Sequence, residues 1–211
     1  MLTKPSYAFL AASMTVFGIG GYAVFAFSAP FLIRVQGMTA TQAGLTLGLI
    51  NGAAGVVGAL AGGYLTDRLA RRDQRNPLFL AAAALVLAAP LLIAGFLAPS
   101  ARMSFALLTL PALLAALYAA PCFATAQALA PPGAHAAASA IPLLGQSLIG
   151  ASLGPLLVGV ISDHLAPSLG TQSLRYALCI LSLSYVASAA LLLAATIRLR
   201  RDLTEVSGRA A

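Results

Sequence analysis

Long apolar runs, separated by short polar breaks, restrict what this chain can fold into more than any other feature. Six runs lie at about 7–33, 43–66, 77–98, 103–130, 136–162 and 172–197. A helix needs about 20 apolar residues to cross a bilayer, and each run provides that length. Backbone groups inside hydrocarbon must bond within their own segment, which leaves helices as the structure for such runs. The sequence therefore predicts an all-α membrane protein, with residues 1–211 forming a single six-span transmembrane bundle in contact with the lipid bilayer.

Composition excludes several other classes of protein. Charged residues make up 8% of the chain, whereas they make up about 25% of soluble domains. The net charge of +7 comes from basic residues that are scattered along the chain, so no nucleic-acid partner is predicted. Cys122 and Cys179 lie inside apolar runs, without a Cys-x-x-Cys motif or a Cys/His cluster nearby. The sequence therefore predicts no metal site and no cofactor.

The distribution of basic residues predicts the orientation of the bundle. Six spans place both termini on one side, and nine basic residues fall on that side against three on the other. The nine are Lys4, Arg68, Arg71, Arg72, Arg75, Arg198, Arg200, Arg201 and Arg209, and the three are Arg34, Arg102 and Arg175. Because cytoplasmic loops are enriched in Lys and Arg, both termini are predicted to be cytoplasmic.

A sequence repeat relates the two halves of the chain. The stretch that begins at Gly58 reads Gly-x-Leu-x-x-Gly-x-x-Thr-Asp-x-Leu, and it recurs at Gly154, 96 positions later, with Ser in place of Thr. The same offset relates Tyr22 to Tyr118. Since span two and span five are three helices apart, the two copies cross the bilayer in opposite directions. The chain is therefore predicted to be an inverted repeat of three helices plus three, an arrangement found in many secondary transporters.

Glycine is concentrated in the two spans that carry the repeat. Span two contains Gly44, Gly48, Gly52, Gly55, Gly58, Gly62 and Gly63, and span five contains Gly145, Gly150, Gly154 and Gly159. Small residues let helix backbones approach each other closely in lipid. Any single glycine is compatible with static close packing or with a moving interface. The concentration of glycine in two repeat-related helices favours the moving interface.

Each copy of the repeat carries one carboxylate near its end, Asp67 in the first and Asp163 in the second. Asp67 stands at the C-terminal end of its span, where the helix macrodipole makes a negative charge unfavourable. It therefore needs a positive partner, and Arg71 or the N-terminus of a neighbouring helix could supply one. A solvated surface position among the arginines is the alternative.

Two motifs resemble signatures of the major facilitator superfamily. Gly63-x-x-x-Asp67-Arg68-x-Ala70-Arg71-Arg72 is similar to the loop signature that follows the second and eighth helices of that superfamily. Gly150-x-x-x-Gly154-Pro155-x-x-x-Gly159 resembles the glycine-proline motif of its fifth and eleventh helices. Together with Phe31-Leu32-Ile33-Arg34 before span two and Ser173-Leu174-Arg175 at the last span, the order of these motifs is most similar to the C-terminal half of bacterial spinster-like members.

The resemblance implies that the six spans form half of a major-facilitator fold in a bacterial inner membrane. It implies a cytoplasmic gate made of Gly63, Asp67, Arg68, Arg71 and Arg72, and a helix-packing motif made of Gly150, Gly154, Pro155, Gly159 and Asp163. The sequence departs from the family at Ala70, which replaces the second glycine of the loop signature. It also departs at His135, which lies in a connection where relatives would carry arginines.

In the family, the first and fourth helices of each half line a central cavity, which implies a pathway along spans one and four. The candidate lining residues are Tyr22, Phe25, Ser28, Tyr118, Phe123 and Gln127. The alternative for each of them is a packing contact between helices. No charged residue lies in the middle of a span, so the predicted small-molecule substrate is apolar or amphipathic.

The function implied is secondary-active transmembrane transport, carried out as half of an alternating-access transporter with a second six-span half or in a homodimer. The alternative is a truncated or partner-dependent half-transporter with no transport activity alone. An intramembrane serine hydrolase is a further alternative, because residues 150–154 read Gly-x-Ser-x-Gly around Ser152. That motif requires a sharp turn at the serine. Here it lies inside a span, and the next histidine, His164, is about 18 Å further along the helix axis. The chain is therefore predicted not to be an enzyme.

Overall fold

The computed structural model describes residues 4–131 and 133–210, with side chains up to residue 204. Six long helices account for most of the described chain, and no strand occurs in it. The helices are α1, Pro5–Arg34; α2, Ala40–Ala70; α3, Asn76–Leu97; α4, Ala101–Ala128; α5, residues 135–169; and α6, Ser173–Ala210. The predicted all-α fold is confirmed. The side chain of Arg209, one of the nine basic residues assigned to the cytoplasmic side, lies outside the described side chains.

Five helical stretches are long and apolar enough to cross a membrane, and the last of them, His135–Thr204, is 70 residues long. A straight helix of that length would extend about 105 Å, far beyond a hydrocarbon core of about 30 Å. The chain instead turns at Gly170–Gln172, which separates α5 from α6. Gly170 adopts φ +55, a left-handed conformation that favours glycine.

Capping residues mark where two of the helices begin. Thr39 precedes α2 and forms a capping box with Gln42, in which each side chain accepts a hydrogen bond from the other residue's backbone N–H. Ser100 precedes α4 and its hydroxyl accepts a hydrogen bond from the Met103 N–H. These bonds satisfy backbone donors that the first helical turn leaves without partners.

Glycine packing shows the inverted repeat in three dimensions. A Cβ atom added at Gly62 on α2 would lie 2.7 Å from the Leu117 carbonyl oxygen on α4. A Cβ added at Gly150 on α5 would lie 2.6 Å from the carbonyl carbon of Gly18 on α1. The repeat-related glycines Gly58 and Gly154 make equally close approaches to α4 and α1. The second helix of the chain therefore packs on the fourth as the fifth packs on the first, and the predicted three-plus-three arrangement is confirmed.

Polar contacts show which segments meet at one end of the bundle. The Asp202 carboxylate accepts a hydrogen bond from the Ser6 N–H, 3.0 Å long, at the N-terminus of α1. A helix N-terminus favours such a negative charge. The Lys4 ammonium donates to the Asp202 carbonyl, and Arg200 forms an ion pair with Asp73 in the α2–α3 loop. Both described chain ends and this loop therefore lie at the same end of the bundle.

The opposite end is held by bonds to one carbonyl group. The Gln36 amide and the Arg175 guanidinium both donate to the Ala98 carbonyl oxygen, at 3.0 Å and 3.3 Å. These residues come from the α1–α2 loop, the start of α6 and the end of α3. The α1–α2 loop, the end of α3 and the start of α6 therefore lie at the same end of the bundle, as expected for helices that cross the membrane in alternating directions.

The buried core lies along α1, α3 and α6, whereas α2 and α5 flank it. The fully buried side chains include Leu10 and Met14 on α1, Leu85 on α3 and Leu192 on α6. By contrast, large apolar side chains on the flanking helices are exposed, namely Leu45, Leu49, Leu60, Leu148 and Leu156. The outer faces of α2 and α5 are therefore not covered by the described residues.

Candidate functional site

A cavity of about 360 Å³ opens in the middle of the bundle and receives residues from all six helices. Its wall consists of Phe17, Gly18, Gly21, Tyr22, Val24, Phe25 and Ser28 of α1, Leu47, Ile50, Asn51 and Gly55 of α2, Leu92 of α3, Leu108, Pro111, Ala112, Ala115 and Ala116 of α4, Gln146 of α5 and Tyr185 of α6. None of these residues is acidic or basic. The wall is therefore apolar and aromatic, with a few uncharged polar groups.

Three of the predicted lining residues, all on α1, lie in this wall. The half-buried Tyr22 donates a hydrogen bond to the Ser147 hydroxyl on α5, 3.5 Å away. Phe25 is 71% exposed, and the buried Ser28 bonds to the Val24 carbonyl oxygen of its own helix. Tyr22 and Phe25 thus present aromatic surface to the cavity.

The structure places Tyr118 differently from the sequence-based expectation. Its side chain is 1% exposed and is hydrogen-bonded to the Ser13 hydroxyl at 3.3 Å. The ring of Phe17, which lines the cavity, lies 4.4 Å from the Tyr118 ring, centroid to centroid. Tyr118 therefore supports the wall from behind in this structure. The repeat places it on the equivalent helix to Tyr22, but Phe17 separates it from the cavity.

The other two predicted lining residues on α4 also lie outside the cavity wall. Phe123 packs against the buried core. The Gln127 amide donates to the Ser139 hydroxyl at 3.0 Å, and the Gln127 carbonyl contacts the His135 ring nitrogen Nδ1 at 3.2 Å. Gln127 thus links the end of α4 to the start of α5, in the interhelical role that was the alternative for it.

Two amides in the wall, Asn51 and Gln146, were not among the predicted residues. Each lies in a short π-helical turn, at Ile50–Ala54 in α2 and at Gly145–Ile149 in α5. A carboxamide inside an apolar span was visible in the sequence and could have identified both positions. The π-helical turns themselves leave no recognisable pattern in the residues.

The predicted gate residues cluster at the end of the bundle that holds both described chain ends. Asp67 is exposed, and no ion pair or hydrogen bond reaches its carboxylate from the described residues. Arg68 donates to the Tyr64 hydroxyl at 3.2 Å, and Arg71 ends the helix. Arg72 is exposed, and a Cβ atom added at Gly63 would meet no atom within 4 Å. The gate motif therefore lies on an open surface, and the expected partner of Asp67 is not Arg71 in this structure.

Asp73 is the acidic residue at this end that forms an ion pair among the described side chains. Its carboxylate accepts a hydrogen bond from the Arg75 N–H, 3.0 Å long, and forms an ion pair with Arg200 at 2.5 Å. The Arg75 bond, with the Arg200 contact, holds the pKa of Asp73 below its ordinary value. The sequence alone did not single out Asp73, because its partner lies 127 residues away.

The packing motif of α5 divides into a contact part and an open part. Gly150 and Gly154 touch the backbone of α1, and Pro155 is half-buried beside them. A Cβ atom added at Gly159 would meet nothing within 4 Å, and Asp163 is exposed. Only the first two glycines of the motif therefore fix the packing of α5 within the described bundle.

Ser152 does not have the geometry of a catalytic serine. It lies inside α5, is exposed, and donates its hydroxyl hydrogen to the Leu148 carbonyl oxygen at 2.7 Å. A serine that acts as a nucleophile needs a base within hydrogen-bond distance. The bond to a backbone carbonyl is an ordinary helix contact for serine.

No protein-family model matches the chain. An MFS-type efflux pump of Mycolicibacterium smegmatis is 35% identical over 206 residues, which cover 97% of this chain and 48% of the pump.

Two crystal structures of a bacterial homologue of the human lysosomal transporter Spinster share the fold. The inward-facing unoccupied form superposes with a TM-score of 0.84 at 25% identity, covering 94% of this chain and 49% of the homologue. The inward-facing occupied form gives a TM-score of 0.69 at 26% identity, covering 97% of this chain and 50% of the homologue. The chain thus spans about half the length of the relatives it matches.

These relatives are transporters, so the prediction that the chain is not an enzyme is confirmed. The serine-hydrolase alternative is set aside on the same ground. In sequence and in fold, this chain matches one half of a major facilitator superfamily transporter of the spinster-like kind.

Proposed function

We propose that the chain forms half of a secondary-active, alternating-access transporter that moves a small apolar or amphipathic solute through the central cavity. The observation that carries the proposal is the cavity itself, which all six helices line without an acidic or basic side chain. Its volume of about 360 Å³ falls in the range of small-molecule sites, about 300–1,000 Å³. An ion without a counter-charge would be strongly disfavoured in such a wall.

A second six-helix unit completes the transporter in this proposal. It is supplied by the same polypeptide, by another chain or by a second copy in a homodimer. The chain spans about half the length of its relatives, which supports a second unit. On α2, Cβ atoms added at Gly44, Gly48, Gly52 and Gly55 would meet nothing within 4 Å, so this side of the helix has room for another helix. The chain has no transport activity without the second unit, in agreement with the partner-dependent alternative.

The gate follows from the same proposal. Asp67 is exposed on the open surface, so its positive partner comes from the second unit in the state in which the two units meet at this end. Gly63 leaves room for the approaching helix, while Arg68, Arg71 and Arg72 hold the loop near the membrane surface. Both termini and this gate are on the cytoplasmic side of a bacterial inner membrane, as the excess of basic residues at this end suggests.

Filling the cavity tests the proposal. The chain is joined to the part of the Mycolicibacterium smegmatis pump that it does not match, and everted vesicles energised by respiration are loaded with the uncharged dye N-phenylnaphthylamine. Ala115→Leu, inside the wall, should reduce dye movement to the background of vesicles without the protein. Ala94→Leu, on the exposed side of α3, makes the same change in volume outside the wall and should leave it unchanged. Equal transport by both variants would contradict a route through this cavity.

A further inference from the structure

Two π-helical turns occur at matching places in the inverted repeat. One is Ile50–Ala54 in α2 and the other is Gly145–Ile149 in α5. They are 95 residues apart, within one residue of the offset between the repeated motifs. Turns of this kind make up well under 1% of residues in proteins and are frequent at functional sites. Their occurrence in both copies, at the same depth from the helix start, indicates that they serve the site between them.

Each turn carries one carboxamide in the cavity wall, Asn51 in α2 and Gln146 in α5. Each residue comes eleven positions after the first residue of its helix, Ala40 or His135. Both amides therefore lie about 16 Å along their helix axes, a distance of about half the ~30 Å hydrocarbon thickness of a bilayer. Since the two helices enter from opposite ends, the amides reach the same cavity from opposite directions.

The two amides have unused hydrogen-bonding capacity. Asn51 donates one amide hydrogen to the Leu47 carbonyl oxygen at 2.9 Å, so its second hydrogen and its oxygen are available. Among the hydrogen bonds of the described residues, none involves the Gln146 side chain, which is half-buried in the wall. An amide group without a hydrogen-bond partner is unfavourable in an apolar environment. A ligand that bonds to these groups would remove that cost.

The surroundings restrict the chemistry of such a ligand. Phe17, Leu92 and Leu108 offer apolar surface, and none of the described residues that line the cavity is acidic or basic. A carboxamide both donates and accepts hydrogen bonds but does not neutralise an ion. The matching group on the ligand is therefore an uncharged donor or acceptor, such as a ketone, an ester, an amide or a hydroxyl, attached to an apolar or aromatic body.

We propose that Asn51 and Gln146, presented by the paired π-helical turns, are the specificity-determining polar contacts of the cavity and select uncharged, hydrogen-bonding amphipathic ligands. The inference rests on the proposed function insofar as it requires that a ligand enter this cavity. The inference names the residues that form hydrogen bonds with the polar group of the solute. It also names the chemical class of that group.

The absence of tryptophan from the sequence allows a direct binding measurement. Phe25→Trp places the only tryptophan of the chain in the cavity wall, and Phe79→Trp places one on the exposed surface of α3 as a control. Each reporter protein is incorporated into lipid nanodiscs and titrated with prodan, an uncharged naphthalene that carries one ketone. Energy transfer from the Phe25→Trp reporter should saturate, whereas transfer from the Phe79→Trp reporter should rise without saturation as the dye enters the lipid.

Two near-isosteric variants then remove the amides from the Phe25→Trp reporter. Gln146→Met and Asn51→Leu should each weaken prodan binding roughly 2- to 10-fold, the effect of losing one neutral hydrogen bond. Each should also shift the emission of the bound dye to shorter wavelength, because its ketone loses a donor. Thr109→Val removes a hydroxyl from a half-buried position on α4 outside the cavity wall and should change neither quantity. The trimethylammonium derivative of prodan should give no saturable transfer.

The outcomes separate this inference from the proposed function. Saturable binding that keeps its affinity and emission in both Gln146→Met and Asn51→Leu would overturn the role of the amides and leave the cavity as a binding site. The absence of saturable transfer in the parent Phe25→Trp reporter would overturn both the inference and the proposed route. Asn51→Leu also breaks the hydrogen bond to the Leu47 carbonyl oxygen, which could reduce the helical content of that variant. If the helical content falls, Gln146→Met alone decides the role of the amides, because no hydrogen bond of the described residues involves the Gln146 side chain.

Discussion

Two carboxylates at one end of the bundle show how residues of the same type differ in environment. Asp73 accepts a hydrogen bond from the Arg75 N–H and pairs with Arg200, whereas Asp67 is exposed without a partner among the described residues. Sequence reasoning found Asp67 through its motif and its place at a helix end. It did not find Asp73, because only the fold brings Arg200 to the α2–α3 loop. The position of Tyr118 likewise depends on contacts that only the fold creates. The repeat relates Tyr118 to Tyr22, but the ring of Phe17 covers it.

We expect Asp67→Asn to reduce transport at least tenfold, because it removes the charge available to a second unit at the gate. Asp163→Asn, at the repeat-related position, should reduce transport much less, since no arginine cluster adjoins it. Initial rates of dye movement measure the difference, in vesicles with equal amounts of each variant joined to the unmatched part of the Mycolicibacterium smegmatis pump. Equal loss in the two variants would remove the reason for assigning Asp67 to a gate.

The lowered pKa of Asp73 predicts how pH affects its contact. A carboxyl group whose pKa is lower in the folded protein stabilises the fold above its ordinary pKa of about 3.9, and loses that effect as the pH falls through the lower folded value. Asp73→Asn should therefore lower the unfolding temperature at neutral pH, by a small amount because the pair is at the surface. The difference from the parent protein should shrink as the pH falls below about 3.9 and disappear below the folded-state pKa, which is lower. A difference that grows on acidification would contradict this account.

At the scale of the helices, glycine decides which elements approach closely. Glycine in α2 and α5 predicted close helix approach, and Gly58, Gly62, Gly150 and Gly154 do contact neighbouring backbones. That these contacts form a moving interface, which the concentration of glycine favours, stays a prediction. The sequence could not distinguish these four glycines from the glycines that face open space, because both sets share the same helical spacing. Nor did it indicate the π-helical turns, since their backbone hydrogen bonds depend on the packing of the whole helix.

Adjacent glycines on α2 provide a matched test of this packing. Gly62→Ala should destabilise the protein by about 1–3 kcal/mol, because the added methyl group meets the backbone of α4. Gly63→Ala should not destabilise it, since the methyl group enters open space and alanine favours a helix by about 1 kcal/mol. Heating with a thiol-reactive dye measures both, because Cys122 is buried in the folded state. Similar unfolding temperatures for the two variants would contradict the close approach of α2 and α4.

The apolar runs predicted most of the architecture of the six-helix bundle. Hydrocarbon permits few structures other than helices, so length and composition alone indicated the all-α fold. The motif offset indicated the three-plus-three arrangement, and the crossings of α2 on α4 and of α5 on α1 confirm it. The cavity could be predicted only in part, because its wall depends on how far each helix is rotated. Tyr22, Phe25 and Ser28 were found through the resemblance, whereas Asn51 and Gln146 were not.

The proposed orientation in the membrane predicts the side from which a cysteine in each loop reacts with an impermeant thiol reagent. The α2–α3 loop lies with both described chain ends, and residues 170–172 lie at the opposite end. In a protein whose two cysteines are replaced by alanine, Gln74→Cys should react with an impermeant maleimide only in everted vesicles. Thr171→Cys should react only in right-side-out vesicles. Reaction of both cysteines from the same side would contradict the topology.

Transport at limiting protein density tests whether the chain depends on a second six-helix unit. The 211-residue chain is reconstituted at an average of less than one copy per vesicle, alone or joined to the unmatched part of the Mycolicibacterium smegmatis pump. Movement of N-phenylnaphthylamine is followed under imposed proton and sodium gradients. We predict that only the joined protein transports the dye at this dilution. Transport by the chain alone, in proportion to the number of chains present, would contradict this dependence.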